Sequence, residues 1–307
     1  PWLNHSSIMK NTVKILFLLA LACCSNLAFG QTENVPQQLF PYPTIPDSIS
    51  DINKRYDYFV AHFWDRADMK RIFSSKKRFA DAFEDYLTPL RYATADTVFS
   101  SVKRFMTSLE KQPKDQYYIG EIAEELLYGD SALYVSDELY VAFLKPILRN
   151  KRIDRNLKAR FESQFIRLNN TLVNHPIVGI PYVTAEGENQ MLEPRPGVPV
   201  IIFLSDPDCM DCRMAGTRLK ADGRTTELID EGAIDVVVLS AVEGDDAQWL
   251  EYAKSFPEKW KVGTNPQLDT IIDMRAGTPA FYLLDENGRI ALKNTNIDVV
   301  ISVMNRL

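Results

Sequence analysis

The apolar positions between residues 48 and 168 follow the helical period. Ser48-Ile49-Ser50-Asp51 predicts a helix start with polar capping side chains. Behind it, one helix face collects apolar side chains at spacings of three and four residues, namely Tyr56, Phe59, Val60, Phe63 and Trp64. Further amphipathic stretches follow at about 75–92, 95–111, 116–128, 136–148 and 153–168. Almost no β-branched or alternating run interrupts them, so we predict an all-α domain over residues 48–168.

The pattern changes after Asn169-Asn170, where short β-rich runs alternate with helical ones. The strands are predicted at 177–184, 198–204, 234–242, 280–284 and 289–292, with turns at 186–189 and 285–288. The helices are predicted at about 209–221, from there to 232, 245–256, 267–274 and at the end of the chain. Strands that alternate with helices indicate a sheet with parallel members. We therefore predict an α/β domain over residues 169–307, with a central mixed sheet flanked by helices.

The first residues have the pattern of an export signal. Lysines near Met9 precede the ten-residue apolar run Ile15–Cys24, and Ala28-Phe29-Gly30 offers small residues for cleavage. We predict a cleaved signal peptide at residues 9–30, export to a bacterial periplasm or cell envelope, and translated upstream or non-native sequence at residues 1–8. A membrane anchor would need about 20 apolar residues, and Ala20-Leu21-Ala22-Cys23 fits a lipid-attachment signal poorly. Four prolines predict an extended linker at residues 31–47: Pro36, Pro41, Pro43 and Pro46.

Composition and charge narrow the range of functions. The 307 residues carry a formal net charge of −6, so an overall basic field for binding nucleic acid is missing. The three histidines, His5, His62 and His175, stand at no metal-ligand spacing, and we predict neither a metal nor another cofactor. Acidic residues outnumber basic ones in residues 169–307, whereas the two are nearly balanced in residues 31–168. This acidity predicts a solvated surface, with a preference for basic partners as the alternative.

Signal cleavage would leave two cysteines, Cys209 and Cys212, in the spacing C-x-x-C. They follow the apolar run Val198–Leu204 and open a predicted helix, where free N–H groups and the helix dipole favour a thiolate. The thiolate of one cysteine can attack a partner disulfide, and the second cysteine resolves the mixed disulfide. Two alternatives stay open. One is half of a zinc site, although the sequence offers no further ligands to complete it. The other is a purely structural disulfide, although a ring this short stabilises the fold by only about 2 kcal/mol, against about 3 kcal/mol for a fifteen-residue loop.

Gly277-Thr278-Pro279 precedes the predicted strand Ala280–Leu284. Proline lacks the N–H that a strand ladder uses, and it is tolerated as a first strand residue, at an edge or at a bulge. A cis bond before Pro279 would suit this place. The alternative is an ordinary proline between a loop and a strand.

Together, these motifs resemble the thioredoxin fold, and specifically its exported TlpA-like branch, over about residues 170–307. The resemblance implies that Cys209 is the exposed nucleophile and that Cys212 resolves. It also implies that Pro279 is cis and lies against the sulfurs, and that the Thr278 backbone pairs with the substrate. The implied partners are proteins with disulfides or dithiols and a redox partner protein. The helical part is similar to a domain of unknown function that precedes such domains in bacterial envelope proteins.

The sequence departs from this family around the cysteines. Three carboxylates surround the motif, Asp206, Asp208 and Asp211, and nearby negative charge disfavours a thiolate. We therefore expect them to modulate the cysteine pKa values and to favour a reductant, with a helix N-cap as the alternative role for Asp206 or Asp208. Phe203 stands where thioredoxins bury a proton-moving carboxylate. Glu186 or Glu188 in the preceding hairpin is a possible substitute.

The leading hypothesis is an exported thiol-disulfide oxidoreductase. The alternative is a non-catalytic binding module with a permanent disulfide, in which the helical domain docks an envelope partner. An isomerase would need association of two copies to present two sites.

Overall fold

The computed structural model describes residues 38–129, 131–245 and 247–307. The predicted upstream segment, the signal peptide and the first part of the linker lie outside these residues. Residues 38–47 contain no helix or strand, yet they pack against the helical core. Phe40 is buried there, and the Tyr42 hydroxyl donates a hydrogen bond to Asp85 at 2.7 Å.

Residues 52–170 are helical, as predicted. The α-helices that the structure describes there are α1 (Ile52–His62), α2 (Lys76–Leu90), α3 (Ala95–Ser108), α4 (Pro113–Leu127), α5 (Asp137–Arg149) and α6 (Arg155–Asn170). Polar side chains fix several of their starts. Asp51 caps α1 by accepting a hydrogen bond from the Lys54 amide at 2.9 Å, and Ser136 caps α5 at the Leu139 amide. The predicted apolar face of α1 contributes Val60, Phe63 and Trp64 to one core shared by the helices.

Residues 180–304 form one mixed sheet with flanking helices, which confirms the predicted fold class. The strands are β1 (Ile180–Thr184), β2 (Asn189–Leu192), β3 (Val200–Leu204), β4 (Asp235–Ser240), β5 (Lys261–Thr264), β6 (Ala280–Leu284) and β7 (Ile290–Thr295). Their order is β2-β1-β5-β4-β3-β6-β7. The helices are α7 (Met210–Ala221), α8 (Gly223–Asp230), α9 (Ala247–Ala253), α10 (Leu268–Ile271) and α11 (Ile297–Met304).

The central strands are apolar on both faces because helices cover both sides. β3 pairs in parallel with β4 and antiparallel with β6, so Phe203 lies between Val238 and Phe281. One face packs against α7, α8, α9 and α11, and the other packs against α10. α10 in turn contacts α6, which joins the sheet to the helical region. No helix among the described residues is long and apolar enough to cross a membrane.

Two strands differ from the sequence prediction. β2 begins at Asn189, where the pattern indicated only a turn, and β5 was not predicted. Both are four residues long and lack a clear alternation of apolar side chains. Among the described strands, β2 lies at the edge of the sheet and pairs only with β1, across the short turn between them. β5 lies between β4 and β1, so its hydrogen bonds come from strands distant in the sequence.

Candidate active site

Cys209 is placed by the turn that follows β3. The chain leaves Leu204, passes through Ser205-Asp206-Pro207-Asp208, and begins α7 at Met210. Cys209 is the N-cap of this helix, and its sulfur accepts a hydrogen bond from the Cys212 amide at 3.1 Å. The sulfur thus replaces the oxygen that usually caps a helix. Neither Asp206 nor Asp208 is the N-cap, so that alternative is wrong. The Asp206 carboxylate instead accepts from the Asp208 amide at 2.9 Å, inside the turn.

The two thiols have different surroundings. Cys209 is partly exposed, whereas Cys212 is fully buried, one turn further into α7. Burial raises the pKa of the Cys212 thiol to about 11, and the neighbouring Cys209 adds to this rise, while the Asp206 backbone and Thr278 oppose it. The carboxylates of Asp206, Asp208 and Asp211 are not among the causes.

The segment before β6 reaches the same place. Gly277 has φ +72°, a left-handed conformation that glycine adopts without strain, and the Thr278-Pro279 peptide bond is cis. The Cys209 thiol donates a hydrogen bond to the Thr278 carbonyl oxygen across 3.7 Å. The structure therefore brings Cys209, Cys212 and Thr278 together, with Pro279 next along the chain.

The three carboxylates lie toward solvent. Asp208 and Asp211 are exposed, and Asp206 is half-buried. Asp208 accepts a hydrogen bond from the side chain of Gln248, and Asp211 lies in the first turn of α7. Glu186 and Glu188 are exposed on the turn between β1 and β2, and β5 and β4 separate β1 from β3.

Three residues beside the cysteines were missed by the sequence analysis. Arg213 donates two hydrogen bonds to the Pro207 carbonyl, at 3.2 and 2.7 Å, and thereby fixes the turn before Cys209. The Ser205 and Tyr252 hydroxyls form a buried hydrogen bond of 2.6 Å. Burial raises the pKa of Tyr252, the Ser205 hydrogen bond lowers it, and the nearby Cys212 raises it. The contact between Ser205 and Tyr252 joins distant parts of the chain, so no local sequence pattern marks it. The contact of Arg213 spans six residues and depends on how the turn before α7 folds.

Phe203 fills the position of the carboxylate that thioredoxins carry. It is fully buried and stacks on Phe281 with ring centroids 4.5 Å apart. A groove of about 420 Å³ runs between α7 and α9, lined in part by Arg213, Gln248 and Tyr252. A larger groove of about 690 Å³ lies in the helical region between α3 and α5, with none of the cysteine-site residues in its lining.

Comparisons with known proteins agree with the fold. Residues 22–170 match a domain of unknown function, DUF5106, and the match ends at the last residue of α6. The structure is similar to that of a thioredoxin-like protein from Bacteroides caccae, with a TM-score of 0.65 and 19% sequence identity. That likeness covers 87% of this chain and 98% of the other, so it includes the helical region and the sheet. The chain therefore has a thioredoxin-like fold preceded by this helical region.

Two further structures are similar over less of the chain. One is a conserved protein of unknown function from Bacteroides fragilis, with 26% identity, a TM-score of 0.40, and coverage of 44% of this chain and 99% of that one. The other is the thioredoxin domain of a thiol-disulfide oxidoreductase from Bacteroides vulgatus, with 17% identity, a TM-score of 0.37, and coverage of 44% and 96%. TM-scores this low add nothing to the fold assignment. No curated protein sequence matches the chain significantly.

Proposed function

We propose that the protein is an exported thiol-disulfide oxidoreductase that exchanges disulfides with other proteins through Cys209 and Cys212. The observation that carries this proposal is the asymmetry of the two thiols. Cys209 is partly exposed at the start of α7, with its sulfur between the Cys212 amide and the Thr278 carbonyl. Cys212 is buried directly behind it. This is the arrangement that a nucleophile and a resolving thiol need.

The reaction begins at Cys209. Its thiolate, stabilised by the Cys212 N–H and the N-terminal end of α7, attacks one sulfur of a partner disulfide. The partner S–S bond breaks, a mixed disulfide forms, and the leaving thiolate takes up a proton. Cys212 then loses its proton and attacks the Cys209 sulfur, which releases the second partner thiol. Two electrons pass to the partner: its disulfide becomes a dithiol, and Cys209 and Cys212 become a disulfide.

The main chain at Thr278 is the proposed contact for the substrate strand, beside cis-Pro279 and Cys209. The groove between α7 and α9 offers adjacent room for a substrate side chain. We assign the three aspartates a secondary role, because carboxylates that face solvent act on a thiol through screened charge.

We further propose that the pair works as a reductant. A poorly stabilised thiolate at Cys212 leaves the reduced pair less stable relative to the disulfide, which favours donation of electrons. The support for this direction is the burial of Cys212, which raises its pKa to about 11. The proposed bias thus rests on burial more than on the three aspartates that suggested it in the sequence.

The test is the reduction of insulin by the mature protein with dithiothreitol as electron donor. We expect Cys209→Ser to abolish turnover. When reduced Cys212→Ser is freed of dithiothreitol and mixed with insulin, it should accumulate a covalent adduct with insulin, which dithiothreitol added afterwards removes. Thr226→Ser, exposed on α8 and outside the groove between α7 and α9, is the control and keeps wild-type turnover. Wild-type turnover in Cys209→Ser would refute the proposal.

The reduction potential separates this function from the binding module with a permanent disulfide. Equilibration with glutathione and dithiothreitol, read out by thiol labelling, should give a reversible couple between roughly −180 and −300 mV, nearer the lower end. A pair that stays oxidised well below about −300 mV is a structural disulfide, and it would favour the binding module instead.

Export is supported by the pattern at residues 9–30 and places the reaction in the bacterial periplasm or cell envelope. The mass of the protein recovered from the envelope fraction of an expressing bacterium is the test. We expect a chain that begins at Gln31. A chain that retains Met9 would contradict cleavage, and added lipid mass on a cysteine would show an anchor.

A further inference from the structure

A buried group of charges joins the helical region to the sheet. Asp137, in the first turn of α5, accepts from Arg275 at 2.6 Å and pairs with Lys293 at 2.5 Å. Asp273 accepts from Arg275 at 2.8 Å and from Lys293 at 3.1 Å. We call these four residues the junction cluster. It holds two negative and two positive side chains, so its formal charges balance.

Both aspartates of the junction cluster are buried: Asp137 is 9% exposed and Asp273 is 2% exposed. Burial alone would raise the pKa of Asp273, but hydrogen bonds from Arg275 and the charge of Lys293 outweigh it and hold that pKa well below its usual value. Arg275 also donates to the Tyr128 carbonyl at 3.1 Å, and its guanidinium lies 4.2 Å from the centre of the Tyr128 ring. Arg275 is therefore fixed on two sides by residues of the helical region.

The junction cluster lies at the base of the segment that reaches Cys209. Only Ala276 and Gly277 separate Arg275 from Thr278, and the Gly277 amide donates to the Met274 carbonyl at 2.9 Å. This short, folded connection leaves little freedom between the Arg275 backbone and the Thr278 carbonyl that accepts from the Cys209 thiol. Beyond Pro279 the chain is held by β6, where Ala280 pairs with Leu204 of β3.

We infer that the helical region is a working part of the redox site, and that Asp137 is a positioning residue. Through Arg275, Asp137 holds residues 275–279 so that the Thr278 carbonyl remains within hydrogen-bonding distance of the Cys209 sulfur. This inference rests on the proposed thiol chemistry of Cys209 and Cys212. On this inference, the DUF5106 region supports the redox chemistry through Asp137, without contacting the substrate itself.

The competing explanation is that the junction cluster only holds the two regions together. Asn170 offers a matched control for that explanation, because its side chain joins the same two regions by donating to the Ile271 carbonyl at 3.0 Å. Asn170→Ala removes a junction contact without touching Arg275 or the segment after it. If the junction cluster only holds the two regions together, Asn170→Ala and Asp137→Asn should change the thiol-disulfide equilibrium of the cysteine pair equally.

The experiment measures the equilibrium of the mature protein with glutathione and its kcat and KM for insulin reduction. Loosening residues 275–279 removes the acceptor of the Cys209 thiol, which destabilises the dithiol form. We expect Asp137→Asn to shift the equilibrium toward the disulfide by about two- to fivefold, the effect of one lost hydrogen bond. We expect kcat/KM to fall about tenfold or more, because the reacting groups are no longer held in place.

Asp137→Glu keeps the charge and should restore part of both effects, whereas Asn170→Ala should leave the glutathione equilibrium at its wild-type value. If Asp137→Asn does not fold, Arg275→Lys retains a positive charge beside Asp273 but loses the planar fork, and the same shifts are expected. An unchanged equilibrium in Asp137→Asn, or an equal shift in Asn170→Ala, overturns the inference. Absence of wild-type insulin turnover would refute the proposed function separately, since the glutathione equilibrium needs only the cysteine pair.

Discussion

At the scale of single residues, Cys212 has to lose a proton before it attacks the Cys209 sulfur, and its surroundings hold that proton. Cys212 is fully buried, and its thiol lies near the Tyr252 hydroxyl, itself tied to Ser205. Phe203 stands where thioredoxins carry a carboxylate that moves this proton. Resolution of a mixed disulfide should therefore be the step that responds most strongly to pH.

The raised pKa of Cys212 can be observed directly. In the reduced protein, the Cβ carbon-13 signal of Cys212 should begin to shift only above pH 9 and reach its midpoint at about pH 11. Because this pKa is raised by folding, the stability associated with the buried thiol is intact below pH 9 and is lost as pH rises through 11. Cys212→Ser removes the transition and is the control. A midpoint below pH 9 would contradict the assigned effect of burial.

Phe203 is a second test at this scale. It is fully buried between β4 and β6 and stacks on Phe281, so truncation leaves a cavity and removes the ring contact. We expect Phe203→Ala to lower the free energy of unfolding by about 3–5 kcal/mol in urea titrations. Phe99→Ala removes a ring that is 42% exposed and should lower the free energy of unfolding by only about 1–2 kcal/mol. Equal effects of the two changes would contradict the packing argument.

At the scale of elements, β5 shows how the sheet accepts a strand with little local preference for one. Lys261-Val262-Gly263-Thr264 contains one β-branched apolar residue, yet it is paired on both sides. Gly263 is opposite Thr184 of β1 and Leu239 of β4, and the Tyr182 ring occupies the space where a side chain would begin. Glycine is needed here because of a neighbour, and not because of its own backbone angles.

This close approach predicts a difference between two glycine substitutions. A Cβ at Gly263 would overlap the Tyr182 ring and lie 2.9 Å from the Val183 carbonyl oxygen. We expect Gly263→Ala to lower the free energy of unfolding by about 1–3 kcal/mol, or by more if the strands separate. Gly223→Ala, at the start of α8 with no atom within 4 Å of the new Cβ, should be neutral or stabilise by up to about 1 kcal/mol. Urea unfolding with two tryptophans in the sheet region, Trp249 and Trp260, gives the comparison, and no loss in Gly263→Ala would contradict it.

The difference between local sequence patterns and contacts with other parts of the chain explains which elements the sequence could predict. The helices follow from apolar side chains at helical spacing, and strands such as Val200–Leu204 and Ala280–Leu284 follow from runs that are buried on both faces. β5 owes its pairing to strands distant in the sequence, so a local pattern does not contain it. β2 is a short hairpin partner of β1 with one buried residue in four, so it carries too few apolar side chains to be read as a strand. In the site, the spacing of Cys209 and Cys212 and the Thr278-Pro279 pair were visible in the sequence. The contacts of Tyr252 with Ser205 and of Arg275 with Asp137 depend on tertiary structure. The contact of Arg213 with Pro207, and the choice of Cys209 over Asp206 as N-cap, depend on the geometry of one turn.

At the scale of the whole molecule, the helical region and the sheet lie in one compact unit, residues 38–307. Two kinds of contact join them. α6 reaches α10 through Asn170 and Arg167, and α5 reaches the sheet through the junction cluster. Breaking a buried ion pair from one side leaves an uncompensated charge and costs about 3–5 kcal/mol. The two regions should therefore unfold together at neutral pH.

Acid should weaken this coupling in a defined range. The pKa of Asp273 is held well below its usual value of 3.8 by Arg275 and Lys293, so the stabilisation is present above about pH 4 and is lost as pH falls further. We expect the free energy of unfolding to fall by up to about 1.4 kcal/mol per pH unit below that point. Asp273→Asn should be less stable than wild type at pH 7, but its free energy of unfolding should depend less on pH in acid. Asp269→Asn, at an exposed position, is the control and should follow the wild-type curve. Urea unfolding at a series of pH values measures this, and parallel acid curves for wild type and Asp273→Asn would show that the coupling does not depend on this carboxylate.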